Sequence, residues 1–475
     1  MMMVPNKIFS LLLGLLTLLY PFRVTFASGD ETTALLKWKA TFKNQNNSLV
    51  ASWKPGSDAC NEWYGVSCIN GRIGNLTNLV YLDLNSNQMS YTIPSQIGSL
   101  VKLQILRSFD NHLNGPVPGE VGYLRSLTKL SLGGNFLIGS IPASLGNLNN
   151  LSYLYLYDNQ LFGPIPSELG NLKNRIELEL YNNNLSGLIP NVELGSLKNL
   201  NTLALYNNQL SGPIPSELGN LKSLNYLLLH NNQLSGPIPS ELRNLINLNH
   251  LLLSNNKNLF GPIPNELGNL KKFNNLEFSD NQLSGPIPSV LGNLKNLNNL
   301  TLSNNQLTGS IPSSFGKFRK LQTLFLGNNN LIEEIPSSIC NLTSLTVLYL
   351  SRNNLKGKIL QCLGNISGLQ YVMMSHNNLN GELPSSICNL TSLQVLDLGR
   401  NNLIGAIPQC FGNMSGHLEV LDMHHNNLSG TLPSTLLLCT IFICIKDSTF
   451  ILCVDGCTCT MGFFATCVLF LLCAI

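Results

Sequence analysis

Two consecutive segments, 197–220 (LKNLNTLALYNNQLSGPIPSELGN) and 221–244 (LKSLNYLLLHNNQLSGPIPSELRN), are near copies of 24 residues each. A repeat of this length constrains architecture more than any single motif, because each copy must bury its apolar face against its neighbours. Inside each copy stands L-x-x-L-x-L-x-x-N-x-L. Its Asn recurs at Asn87, Asn111, Asn135, Asn159, Asn183, Asn208, Asn232, Asn256, Asn281, Asn305, Asn329, Asn353, Asn377, Asn401 and Asn426, fifteen times at steps of 24 or 25 residues.

Leu203 and Leu205 are two apart, so they share one face of a short strand, while Leu200 lies in the turn leading in. One strand cannot bury these leucines, but stacked copies form a parallel sheet over a continuous core. At about 4.8 Å per strand, the fifteen units predict a sheet roughly 70 Å long. The marker Asn208 falls where the chain turns after the strand. A buried Asn there can bond backbone groups that have left the ladder, so the Asn column reads as structural. In the second half of the unit, Pro213 and Pro215 flank Ile214, which predicts an extended or turn conformation. S-E-L-G-N-L then supplies a short helical turn closed by Gly219.

The L-x-G-x-I-P form of the unit resembles the plant-specific class of leucine-rich repeats, over roughly residues 30–433. Plant receptor kinases, receptor-like proteins and polygalacturonase-inhibiting proteins carry it. The resemblance implies an α/β leucine-rich-repeat solenoid: a curved, right-handed superhelix with a parallel sheet on its concave face, about 15 repeats of 24–25 residues, and a ligand on that face. It also implies a co-receptor kinase as signalling partner, since no Gly-rich kinase loop occurs in the chain.

Four segments are expected: 1–27 a signal peptide, 28–70 an amino-terminal cap, 71–435 the repeats, and 436–475 a hydrophobic Cys-rich tail. Lys7, the apolar run Ile8–Tyr20 and the small residues Ala27 and Ser28 have the order of a secretory signal, with a signal anchor as the other reading. ETTALLKWKATF and C-N-E-W-Y-G-V-S-C look like the amino-terminal cap of plant leucine-rich-repeat receptors, where the pair matching Cys60 and Cys68 is a disulfide. A solenoid's first unit has a bare apolar face to cover, and an oxidising compartment permits the bridge. After Cys68 the chain runs straight into the back half of a unit, so the first complete strand is expected at Tyr81–Asn85.

Asn-x-Ser/Thr acceptors occur at Asn46, Asn75, Asn150, Asn299, Asn341, Asn365, Asn389 and Asn413, and beside markers at Asn184 and Asn427. The four from Asn341 onward repeat every 24 residues on the back of the arc. Cys340, Cys362, Cys388 and Cys410 sit in the short helical turns and read as small apolar core residues. No clustered spacing supports a metal site. In the tail, 457–475 is an uncharged 19-residue run, a transmembrane candidate without a Lys/Arg flank. Three readings stay open there: a hydrophobic anchor, a truncated receptor, and a glycolipid-anchor signal.

Charged residues are 11% of the chain and net charge is +3 with no basic block, which argues against nucleic acid. No G-x-S-x-G, H-E-x-x-H or P-loop is present, so no catalytic residue and no cofactor is assigned. Ligand contacts are expected at the strand positions two, four and six before each marker, which alternate with the core leucines. These give Tyr153, Tyr155 and Tyr157, then Glu177, Glu179 and Tyr181, then Tyr206, Tyr226 and His230, a contiguous aromatic patch with two carboxylates. Tyr gives contact area at low entropic cost, while its strand propensity explains such a band equally well. The leading expectation is extracellular recognition of a peptide or microbial signal, at the plasma membrane or in the apoplast. An inhibitor of a cell-wall-degrading enzyme and a truncated decoy receptor are the alternatives.

Overall fold

The structure is a computed structural model that describes Leu36, residues 52, 54–57 and 66–68, residues 79–414 except 173 and 175, residues 418–431, and residues 442–444. The signal segment, the Cys60–Cys68 pairing, Asn46, Asn75 and the tail segment 457–475 lie outside the described residues. The chain divides between Ile176 and Glu177 into two compact units.

In the first unit, the strands Leu79–Asp83, Ile105–Arg107, Lys129–Ser131 and Tyr153–Tyr155 pair in parallel, one per repeat. The first begins at Leu79 rather than at the expected Tyr81, because Val66–Cys68 pairs with it antiparallel and extends its ladder to Leu79. In the second unit, eleven parallel strands run in order from Glu177–Glu179 to Val420–Asp422. Phe442–Cys444 pairs beyond the last of them.

Leu200, Leu203 and Leu205 are fully buried, and Leu224, Leu227 and Leu229 repeat this one rung on. Each such side chain stabilises by about 1.5–3 kcal/mol relative to exposure. The marker asparagines are structural. Asn232 Nδ2 donates to the carbonyls of Leu229, His230 and, one repeat back, Leu205, at 3.2, 3.3 and 3.0 Å. Its Oδ1 accepts from the Leu210 amide at 3.0 Å. All of its partners are backbone, so the column works whatever the neighbouring side chains are.

A second parallel ladder follows each marker, as in Gln209–Pro213, Gln233–Gly236 and Asn258–Gly261. The sequence predicts an extended or turn conformation here, and the extended one is realised as a ladder. Gly212 supplies the positive φ of +75° that bends the strand there. At Glu333, with φ 68°, a residue that pays for this conformation stands in the glycine's place. The ladder stops at Asn330–Leu331 and resumes at Lys356–Lys358.

Short helices close the repeats, 3-10 in form as at Ser216–Asn220 but α-helical at Asn191–Gly195. Gly219 does not cap by a left-handed turn as expected; a Cβ there would lie 2.4 Å from the Glu241 carbonyl of the next helix, so close packing selects it. The late cysteines also depart from expectation. Cys340 is bonded to Cys362 and Cys388 to Cys410, with Cα separations of 5.7 and 5.9 Å. They are half-buried at the edges of neighbouring helices, while Ile339, Leu363, Ile387 and Phe411 take the core positions. Stacking brings such edges within disulfide reach.

Candidate functional site

Within the second unit the register of the parallel strands sorts the outward side chains into columns. Glu179, Ala204, Leu228, Leu252 and Glu277 are successive partners in one column. Glu177, Thr202, Tyr226, His250 and Asn275 form the column two residues earlier. Tyr181, Tyr206 and His230 occupy the positions two residues later, just past the strand ends.

The rings of these columns stack. Tyr181 lies on Tyr206 at 4.4 Å with planes 8° apart, and Tyr206 lies on His230 at 4.4 Å and 11°. Tyr226 lies on His250 at 4.8 Å and 15°. Parallel rungs are about 4.8 Å apart, close to a ring-stacking distance, so aromatic residues at one position in adjacent repeats fall into stacks. Two stacks therefore border a strip of Ala204, Leu228 and Leu252, which Glu179 and Glu277 close at either end.

Burial pushes His230 down to about 4 and lowers His250 as well. Both rings are consequently neutral at pH 7, and His230 Nδ1 has no hydrogen-bond partner among the described residues. Burial raises Glu277, against a 2.7 Å bond from Asn275 Nδ2 that favours its charged form. The strip is thus apolar, flanked by uncharged rings and ended by carboxyl groups.

The expected residues Glu177, Glu179, Tyr181, Tyr206, Tyr226 and His230 come together here. Tyr153, Tyr155 and Tyr157 belong to the first unit, where ring centroids are 6.0 and 6.2 Å apart along the series. Lys129 Nζ lies 5.0 and 4.9 Å from the Tyr153 and Tyr155 rings, a cation–π arrangement. Sequence reasoning missed Lys129, Leu252 and Glu277, although the six-before and four-before positions contained them.

It also missed a polar cluster on the late strands. Ser375 Oγ donates to Asp397 Oδ2 at 2.5 Å and lies 3.1 Å from Ser351 Oγ. Burial, with the neighbouring Asp422, pushes Asp397 up to about 6 although the Ser375 bond opposes it. His424 Nδ1 meets Asp422 Oδ1 at 2.5 Å. Among the described residues no group of three His, Cys, Asp or Glu could hold a metal ion, and no helix is long and apolar enough to cross a membrane.

Stacked strands, a marker Asn bonded to backbone and short helices behind them define a repeat solenoid that displays an open sheet face. The model "Leucine rich repeat" matches residues 295–355 and 319–379, and "Leucine Rich Repeat" matches eight further segments from 78–100 to 417–439. "Leucine rich repeat N-terminal domain" matches 28–69. The Arabidopsis thaliana protein "MDIS1-interacting receptor like kinase 2" is 40% identical over 14% of this chain and 8% of its own length.

Two solved structures show the likeness in three dimensions. The plant peptide hormone receptor RGFR1, in complex with RGF2, is 35% identical with TM-score 0.69, covering 76% of this chain and 61% of that one. The Arabidopsis receptor kinase HAESA, in complex with the peptide hormone IDA and the co-receptor SERK1, is 30% identical with TM-score 0.69, covering 88% and 82%. The chain belongs to the leucine-rich repeat family, in the form found in plant receptor ectodomains.

Proposed function

We propose that this chain is an extracellular recognition module that binds an extended peptide on the strip between the two aromatic stacks. The carrying observation is the closed length of that strip. Glu179 and Glu277 are four rungs apart, about 19 Å, which an extended chain crosses in about six residues at roughly 3.3 Å each. Apolar side chains fit over Leu228 and Leu252, and a basic residue fits Glu177 and Glu179. RGFR1 and HAESA were solved with peptide ligands, which supports a peptide here, and the SERK1 in the HAESA complex supports a partner kinase as the route to a signal.

Secretion, a membrane attachment through 436–475 and glycans at Asn150, Asn299, Asn341, Asn365, Asn389 and Asn413 are part of the same reading. Asn341, Asn365 and Asn389 are exposed at the ends of successive short helices, where a glycan leaves the strand face open. Asn299 is instead half-buried within a strand and accepts from Thr323 Oγ1 at 2.8 Å. A glycan there bounds the site beyond Glu277.

The test is selection of a random ten-residue peptide library on the full secreted chain and on its Tyr206→Ala/His230→Ala variant. Enrichment of apolar peptides with a terminal Lys or Arg, lost with the variant, is the expected result. Equal enrichment on both proteins refutes the site.

A further inference from the structure

An open cleft of about 760 Å³ crosses four consecutive repeats of the second unit where the second ladder passes into the short helices. Its floor is apolar, with Ile214 and Ile238 almost wholly buried. Pro213, Pro237 and Pro262 stand exposed on its rim, and Leu188, 62% exposed, holds the corresponding place in the first of the four repeats. Proline has no N–H, so these rim positions offer apolar ring surface and no backbone donor. Along the cleft Glu217, Glu241 and Glu266 recur once per repeat, each in the first turn of its helix.

Among the described residues no Lys, Arg or His lines the cleft. Ser216 and Ser240 donate weakly to Glu217 and Glu241, at 3.3 and 3.4 Å. Lys198 and Lys222 line an adjoining pocket that Glu217 also borders, and Arg243 lies at the far end of the Glu241 helix. The cleft itself is therefore apolar with a carboxylate column and no cation of its own. Acceptor sites leave most of the cleft open: Asn184 stands in its first repeat, no further Asn-x-Ser/Thr occurs before Asn299, and four fall on the helices of the later repeats.

We propose that this cleft docks an extended segment of a partner protein that interleaves apolar and basic side chains. The ladder beside it sets the spacing. Ser211 pairs with Gln233 and Ser235 with Asn258, one rung per repeat, so the three carboxylates span about 10 Å. A segment in the polyproline II conformation, with three residues per turn at about 3.1 Å each, crosses that distance in about three residues and keeps positions i and i+3 on one face. Basic residues at positions i and i+3 thus meet Glu217 and Glu266, with apolar residues between them seated among the prolines. The carboxylates also disfavour an acidic segment. This surface is separate from the strand-face strip and needs no ligand bound there.

The experiment titrates the full chain with fluorescein-labelled twelve-residue peptides, read by fluorescence anisotropy. One is a Lys-Leu-Ser repeat, one has Glu for each Lys, and one has Ser for each Leu. The Lys-Leu-Ser peptide is expected to bind, with affinity falling as salt is raised, while both controls bind at least tenfold more weakly. Combined Glu217→Lys, Glu241→Lys and Glu266→Lys, the second exposed and the other two half-buried, lowers the affinity by roughly tenfold or more. Leu188→Asp weakens it through the rim. Equal binding of the Glu peptide, no binding of the Lys-Leu-Ser peptide, or full affinity in the triple variant overturns the proposal. So does self-association in sedimentation that the triple variant abolishes, which assigns the cleft to a second copy of the chain.

Discussion

Replacing Asn232 by Leu tests what holds adjacent repeats together. The side chain is 8% exposed and bonds only backbone. Leucine has a similar volume, so little cavity forms, and the loss falls on the groups left behind. The Leu210 amide, in the preceding repeat, loses its side-chain partner, whereas the Leu205 carbonyl still accepts from Asn208 Nδ2 at 3.0 Å. An orphaned buried amide costs about 1–3 kcal/mol, and the added apolar burial returns about 1 kcal/mol, so the net is about 1 kcal/mol. A single unfolding free energy is poorly defined for a long disulfide-bonded repeat chain, so the assay is native-state hydrogen exchange. The Leu210 amide should exchange about fivefold faster, since about 1.4 kcal/mol is a factor of ten. The Leu307 amide, which Asn329 holds in the same way at 3.0 Å, should be unaffected, because repeats couple chiefly to their neighbours. Leu210 protection within threefold of the parent, or an equal loss at Leu307, refutes the reasoning.

Glu333→Gly should stabilise the chain by about 0.5–1 kcal/mol, as relief of the left-handed backbone outweighs the exposed 2.9 Å ion pair to Lys356; thermal scanning that shows a lower midpoint counts against it. Cys340→Ser with Cys362→Ser removes a cross-link with a sequence separation of 22 residues, worth about 3 kcal/mol in the chain-entropy view, and should speed exchange in those two repeats alone. Asp397 has its folded pKa raised to about 6 from 3.8. Its contribution is fully present below pH 3.8 and lost as pH rises through 6, by at most about 3 kcal/mol. Asp397→Asn should therefore flatten the local exchange profile between those values, and an unchanged profile argues against it. His230 runs the other way: held down at about 4, it contributes stability above pH 6.5 that is lost as pH falls through 4, and His230→Gln should remove that acid sensitivity.

The period and the marker Asn were legible because both depend only on local spacing: Leu203 and Leu205 two apart, and Asn208 where the chain leaves the strand. The face positions followed from the same alternation, which is why Tyr206 and His230 were found. Leu252 and Glu277 obey the identical rule and were passed over because a leucine and an isolated acid look ordinary in sequence. The second ladder was legible only as an extended or turn stretch around Gly212 and Pro213, because its pairing partners lie in the neighbouring repeats. The cysteines failed for the same cause. A separation of 22 residues is short of the repeat by two, and only the side-by-side placement of successive helices makes it a bridge.

That dependence on neighbours also explains how the candidate strip is built. Because the marker asparagines bond backbone alone, an outward column can change its side chains without disturbing the ladder. A ring placed at the same column in adjacent repeats is then held at stacking distance by the pitch of the sheet. Tyr181, Tyr206 and His230 are ordered in this way before any ligand arrives. Binding to such rings gives up less side-chain freedom than binding to isolated ones, and preorganisation of this kind raises affinity without adding contacts. The stack ends where Ser254 takes the next position and the strip ends at Glu277. The boundaries of the site are therefore set by two outward substitutions in an otherwise uniform scaffold.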